Sequence, residues 1–469
     1  MALALLLAAS PSAGTVDFAC HCDPAACAEV RHAVWLLHSF WYEEALRTFR
    51  AAEGEDPRCS AAFWGEAMAH DHPLWAPPSE ADVRAGLAAA RQAVALAAPG
   101  TQERGYAEAV LALYDGAPAR GPAARAAAYL DRMRALAAAF PDDLDLACFH
   151  ALALLGARDG DGAKHREAAR ILAGVLAKAP RHPGALHYLI HADDDAAHAA
   201  EALPAARLYA QVAPTVPHAL HMPSHIYAAL GLWDDAVASN VAAFAATESW
   251  VAREKLPAER RDWHSLGFLV YAYLMKGDAG TVRALLALMD EGRSPAQRRA
   301  TATAHAMRIV NEGDWSASAG YAPAPGDAPP ALPPYVHGLG ALWLHRPEAL
   351  AAAIHELGTA KQPDDPEERA WLVLARQELE GGARALAGDR AGALASLADA
   401  QRTFEGFPGG PPTGPTPFVP PHELEGDLLR LHFHDANAAA AAYAAALRDA
   451  PGRRPSLEGL AATRGPSAR

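Results

Sequence analysis

The chain has 469 residues, enough for several domains or one long repeat array, and its 55 acidic and 41 basic side chains give a formal net charge of −14. That balance, with no basic stripe and no Lys/Arg cluster interleaved with aromatics, argues against a nucleic-acid partner. Alanine dominates nearly every segment while aromatics make up 7%, so helix formers prevail over β-branched residues and the expected class is all-α.

The first element in chain order is MALALLLAASPSAG, an apolar run of eight residues after Met1 followed by small residues. It is similar to the second half of a signal peptide, with cleavage expected near Gly14, and it lacks the basic n-region. Residues 1–14 therefore read as a truncated export signal and the mature chain as periplasmic or secreted; a chain that is not exported is cytoplasmic. No other run approaches the ~20 apolar residues of a membrane span. CHCDPAAC follows, bringing Cys20, Cys22 and Cys27 together, and Cys59 lies one hairpin later. In an exported chain these cysteines predict a disulfide, Cys22 or Cys27 with Cys59, clipping the first hairpin. The rival is a metal knuckle using His21, for which C-x-C-x4-C without a distant second pair is a weak signature.

The next segments repeat. In WYEEALRTFRAAEGEDP, Ala45, Phe49, Ala52 and Pro57 have the spacing of the second helix of a tetratricopeptide repeat, with Ala33 as the small residue of the first helix. The pattern returns at Ala236, Asn240 and Ala243, at Val282, Leu286 and Met289, at Ala393, Leu397 and Ala400, and at Ala439, Tyr443, Ala446 and Pro451. Small residues let paired helices approach closely, and each hairpin buries its remaining apolar face only against its neighbours. The predicted architecture is an α-solenoid of such hairpins. Residues 15–320 form a larger N-terminal array, and YAPAPGDAPPALPPY (321–335) is a Pro-rich linker expected to be non-helical. Residues 336–469 form C-terminal repeats, interrupted by the Pro/Gly-rich stretch 406–421, expected to be a surface loop.

Five blocks carry a family likeness: HSFWYEEA, WGEAMAHDHPLW, HPGALHYLIHADDD, PHALHMPSHIYAALGLWDD and the closing ELEGDLL…AYAAALRDAPGRRPSLEGLA. Across almost the whole chain they resemble a family of secreted or envelope-associated bacterial tetratricopeptide repeat proteins of unassigned activity. The resemblance implies an α-solenoid. It also implies that Cys22 pairs with Cys59, while Cys20 and Cys27 depart from the family pattern.

The histidines carry the chemistry. His187/His191 and His221/His225 are i, i+4 pairs, a spacing that puts both imidazoles of a pair on one helix face. Counting through the repeats places His218, His221 and His225 on the groove-lining positions of one helix, His264 on the next and His187 on the preceding one, with Asp193 and Asp194 beside them. His38 and His72 fall near the end of the groove face in the first two repeats, and Glu66 is a further carboxylate from upstream. Neutral imidazoles with one or two carboxylates suit Zn, Cu, Fe or Mn. HMPSH lacks the glutamate of the HExxH metalloprotease motif, and no phosphate loop, dinucleotide fingerprint or GxSxG elbow occurs. Two readings follow: a transition-metal site, serving a metal-binding protein or a metalloenzyme, and a metal-free groove that holds a peptide or protein segment. The other histidines, among them His32, His165 and His345, read as solvated or packing residues.

Overall fold

The computed structural model describes residues 16–75, 77–157, 162–408, 412 and 414–464. The expected export segment, 1–14, lies outside them. Among the described residues every regular element is helical and no strand occurs, and no helix is long and apolar enough to cross a membrane. The chain forms two compact units. One runs through Asp193 and resumes over Glu201–Pro223; the other comprises Asp194–Ala200 and Ser224–Arg469.

The first unit is built from α1 (Pro24–His38), α2 (Tyr42–Glu55), α3 (Ser60–Ala69), α4 (Glu80–Leu96), α5 (Gln102–Ala112), α6 (Pro122–Ala139), α7 (Leu144–Leu155), α8 (Gly162–Lys178) and α9 (Pro183–Ala192), with most of α10 (Ala199–Val212) and α11 (Pro217–His221). From α1 to α9 each helix packs on its neighbour in sequence, as stacked hairpins require. The repeat positions Ala33, Ala45, Phe49 and Ala52 are all fully buried. Disulfides join Cys22 to Cys59 and Cys20 to Cys27, so the two cysteines outside the family pattern pair with each other and no thiolate remains there for a knuckle.

Beyond its neighbours in sequence, α9 also packs on the far earlier α1. Gly184 makes this approach possible, because a Cβ there would fall 2.4 Å from Nδ1 of His38.

The second unit contains α13 (Trp233–Glu254), α14 (Trp263–Lys276), α15 (Ala279–Met289), α16 (Pro295–Glu312), α17 (Trp315–Ser318), α18 (Leu332–Trp343), α19 (Pro347–Thr359), α20 (Pro366–Leu386), α21 (Arg390–Glu405), α22 (Pro421–Leu431), α23 (Ala436–Asp449) and α24 (Arg454–Thr463). All twelve repeat positions named for α13, α15, α21 and α23 are buried. The unit ends on α24, which packs on α14, α22 and α23. Just before it, buried Arg453 ion-pairs with Glu423 at 2.8 Å and donates to the Tyr271 hydroxyl at 3.1 Å. Each unit is an α-solenoid of tetratricopeptide-like hairpins.

Both Pro-rich stretches do more than expected. Leu332–Tyr335 forms the first turn of α18, because prolines in a first turn lack only N–H groups that have no intrahelical acceptor. The described part of the 406–421 stretch is anchored in the core: Phe407, Phe418 and Val419 are buried. Phe418 stacks on Trp371 with ring centroids 4.1 Å apart, and the Val419 N–H donates to the Tyr335 hydroxyl at 3.1 Å.

A third difference concerns the helix expected to carry His218, His221 and His225. It breaks at Met222, between α11 and α12 (Pro223–Ala229). Pro223 has no N–H to continue the ladder.

Candidate metal centre

Three imidazoles of the first unit meet at one point. Helix α9 opens at Pro183 in its first turn, capped by the His182 ring, whose Nδ1 accepts the Ala185 N–H at 3.3 Å. The helical period then aligns His187 and His191 on one face, with their Nε2 atoms 3.1 Å apart. Helix α11, opened by Pro217, contributes His218, whose Nε2 is 3.2 Å from Nε2 of His187. All three residues offer a ring nitrogen within 4.8 Å of one another.

The tautomer of His187 follows from its other side. Its Nδ1 lies 2.6 Å from the backbone carbonyl of His38. A carbonyl only accepts, so Nδ1 carries the hydrogen and the neutral ring holds its lone pair on Nε2, facing the other two histidines. Metal-bound imidazoles are held in this way, by an outer carbonyl or carboxylate on the second nitrogen. The spacing suits an ion as well. Tetrahedral ligands at Zn–N distances of about 2.0–2.1 Å stand about 3.3–3.4 Å apart, close to the observed 3.1 and 3.2 Å.

Aromatic rings wall the cluster. Tyr209 stacks on His187 at 5.2 Å, Phe40 stacks on His218 at 5.5 Å and meets His187 edge-on at 4.4 Å, and Trp75 meets His218 edge-on at 5.5 Å. Phe40 takes a left-handed backbone, φ 54°, where α1 turns into α2. That conformation is costly for a bulky residue, and it accompanies the turn in which the His38 carbonyl reaches His187. His187 is fully buried and His191 and His218 are half-buried, while Trp75 is 47% exposed.

A second cluster in the same unit is chemically different. His38 and His182 approach the same oxygen of Asp145, Oδ1, at 2.9 and 3.1 Å. The Tyr188 hydroxyl lies 3.0 Å from Nδ1 of His38, and the buried thiol of Cys148 lies 3.6 Å from Nδ1 of His182. A carboxylate only accepts, so both Nε2 atoms donate to Asp145, while the Nδ1 atoms accept from Tyr188 and from the Ala185 N–H. Every ring nitrogen is thereby used. Burial lowers His38 below its ordinary value, opposed by Asp145. Burial would raise Asp145, but hydrogen bonds from His182 and His38 and their charges outweigh it and hold the carboxyl well below the usual range.

The expected ligand set is thus divided. His187, His191 and His218 converge. The His38 ring belongs to the Asp145 network, so this residue supports the centre through its carbonyl alone. The His72 ring lies against Tyr42 at 4.3 Å, with Nε2 donating to the Ala69 carbonyl at 3.2 Å, and burial lowers its pKa. His221 lies 6.1 Å from His218, ring to ring. Asp193 ion-pairs with Arg166 at 2.7 Å. Asp194 lies in the second unit with its partner His225, whose Nδ1 is 2.7 Å from the carboxylate, and the His264 ring stands 6.2 Å from that of His225, with a ring nitrogen of each within 4.8 Å of the other. Glu66 accepts from Arg50 at 2.9 Å.

Sequence reasoning missed Asp145, His182, Tyr188 and Tyr209. His182 carried a visible signal, since a polar side chain directly before Pro183 and Gly184 marks a helix start.

Neither a protein-family model nor a curated protein matches the chain. Solved structures similar to it include the tetratricopeptide domain of P58(IPK), at 12% identity over 94% of this chain and 97% of that one, TM-score 0.24. Yeast Tom70 is 10% identical over 94% and 95%, TM-score 0.28. The human IFIT1 dimer with m7Gppp-AAAA is 13% identical over 82% and 78%, TM-score 0.33.

Proposed function

We propose that the chain is a metal-binding helical-repeat protein whose first unit holds one transition-metal ion through His187, His191 and His218. The observation that carries this reading is the meeting of two further Nε2 atoms with the single Nε2 lone pair of His187, at 3.1 and 3.2 Å. One sp² lone pair cannot accept two N–H donors in line, whereas a cation among the three nitrogens engages a lone pair from each. All-nitrogen donors favour Zn, Cu, Ni or Fe over Mg or Ca. Three protein ligands leave a fourth position for water or a substrate atom, the arrangement a metalloenzyme requires; no reaction is assigned to it. Two disulfides beside the first hairpin support folding in an oxidising compartment, the periplasm or outside the cell.

The test is metal content. Purified protein dialysed against Zn, Cu, Fe or Mn should retain one ion per chain and gain thermal stability, and His187→Ala combined with His218→Ala should retain none. Wild-type protein that keeps no metal and shows no thermal shift overturns the reading. The exposed Trp75 rim would then favour the alternative, a metal-free groove that holds a peptide or protein segment.

A further inference from the structure

Cys20, Cys22, Cys27 and Cys59 gather beside the first hairpin of the first unit. The sulfur of Cys20, bonded to that of Cys27, also lies within 4.8 Å of those of Cys22 and Cys59. The two bonds are unlike. Cys22–Cys59 spans 37 residues and ends on fully buried Cys59, directly before α3, so it clips the hairpin. Cys20–Cys27 spans 7 residues and ends on half-buried Cys20. A bond that closes so short a loop restricts the unfolded chain less than the longer one, and solvent-reachable disulfides are the ones that exchange with external thiols.

The two sulfurs of the short bond are placed for different roles. Cys20 is the one an incoming thiolate reaches, because Cys27 is only 5% exposed. Cys27 is the better leaving sulfur. It ends the first turn of α1, where the helix N-terminus favours a thiolate, and the Cys22 N–H donates to its sulfur at 3.4 Å. The chain around Cys20 is also held independently of the bond. Buried Phe18 stacks on Trp64 at 4.7 Å, its carbonyl accepts from Arg31 Nε at 3.2 Å, and the His21 N–H donates to Glu103 at 2.9 Å. Cys20 therefore stays beside Cys27 when the bond opens, which allows the bond to close again.

We propose that Cys20–Cys27 is a redox-active disulfide that oxidises a dithiol substrate, with Cys20 as the sulfur attacked and Cys27 as the leaving sulfur. A substrate thiolate, its proton lost to solvent, attacks Sγ of Cys20. The Cys20–Cys27 bond breaks, a mixed disulfide forms at Cys20, and Cys27 leaves as a thiolate that takes a proton from solvent. The second substrate thiolate then attacks the substrate sulfur of the mixed disulfide, which forms the substrate disulfide and releases Cys20 to be protonated in turn. Two electrons pass from the dithiol to the chain, and a small disulfide such as glutathione disulfide takes them back by the reverse exchange. Cys22–Cys59 stays closed throughout, and the histidine centre takes no part.

The experiment is thiol alkylation read by mass spectrometry on the full chain, with a chelator present. Under dithiothreitol, Cys20 and Cys27 should become alkylatable roughly tenfold or more faster than Cys22 and Cys59, with the circular dichroism spectrum unchanged. A reduced dithiol peptide mixed with the chain should yield one equivalent of peptide disulfide as Cys20 and Cys27 appear as thiols. Cys27→Ser treated with glutathione disulfide should accumulate a mixed disulfide at Cys20. Cys20→Ser combined with Cys27→Ser keeps Cys22–Cys59, and should fold and oxidise no peptide. Transfer should persist in the His187→Ala/His218→Ala chain, so this outcome is separate from that of the metal reading. Release of all four thiols together, no peptide oxidation by the wild type, or equal oxidation by the chain lacking Cys20 and Cys27 overturns the proposal.

Discussion

Two histidine clusters share the first unit and meet at α9, yet they differ in what meets the imidazole. Around His38 and His182 an anionic carboxylate accepts both N–H groups, and a hydroxyl and a backbone N–H complete the other nitrogens. Around His187 two further imidazole Nε2 atoms stand 3.1 and 3.2 Å from its own Nε2. The first arrangement is a closed network of the kind that specifies a core. The second juxtaposes like groups, and on the proposed reading a cation lies among them. Histidine clustering therefore does not mark a site by itself; the groups that face each ring matter as well.

The largest expected effect separates the two clusters outright. Replacing His187 and His191 together by alanine should reduce metal from one ion per chain to none by elemental analysis, while Asp145→Ala should leave metal stoichiometry intact. If Asp145→Ala also abolishes binding in a folded chain, the clusters are one site and the comparison fails. Coordination competes with protons, so occupancy should fall below about pH 6.5.

Asp145→Ala should instead cost stability. It strands two buried imidazoles, a loss of about 3–5 kcal/mol by the general cost of breaking a buried charged network, read from urea midpoints on a two-state transition of this unit. A cost below ~1 kcal/mol would mean the network is not closed. Removing the Cys22–Cys59 bridge, which spans 37 residues, should cost about 2–4 kcal/mol, and peptide mapping without reductant should recover that linkage. Free thiols at both positions would remove it.

Gly184→Ala sharpens the comparison from the contact both clusters share. The new methyl must displace the His38 ring, an overpacking change of about 1–3 kcal/mol. It should also weaken metal binding, because the His38 carbonyl orients His187. Unchanged metal affinity in this variant would show that the carbonyl contact is dispensable.

The smallest effect is on pH. His38 and Asp145 both have folded values below their unfolded ones, so each contributes stability that is present above its unfolded value and lost as pH falls. Stability should decline first below about pH 6.5, from His38, and again below about pH 4, from Asp145. In His38→Gln the first decline should be smaller; an identical profile in that variant would assign it to other groups.

How much of this was legible in the sequence varies by scale. The hairpins were legible residue by residue: Ala45, Phe49 and Ala52, and their counterparts through Ala446, are buried as the repeat spacing requires. The i, i+4 pair His187/His191 was legible because both residues lie on one continuous helix.

What the sequence determined by itself is everything that depends on local period: helix content, hairpin spacing, which small residues face which helices, and the alignment of His187 with His191. Tertiary structure alone decided which histidines meet. The approach of α9 to α1 over Gly184 brings residues roughly 150 positions apart into hydrogen bonds, sends the His38 ring to Asp145 and its carbonyl to His187, and sets His218 against both α9 rings. No helical period encodes such a partner choice, because it follows from how successive hairpins stack rather than from the spacing within any one of them.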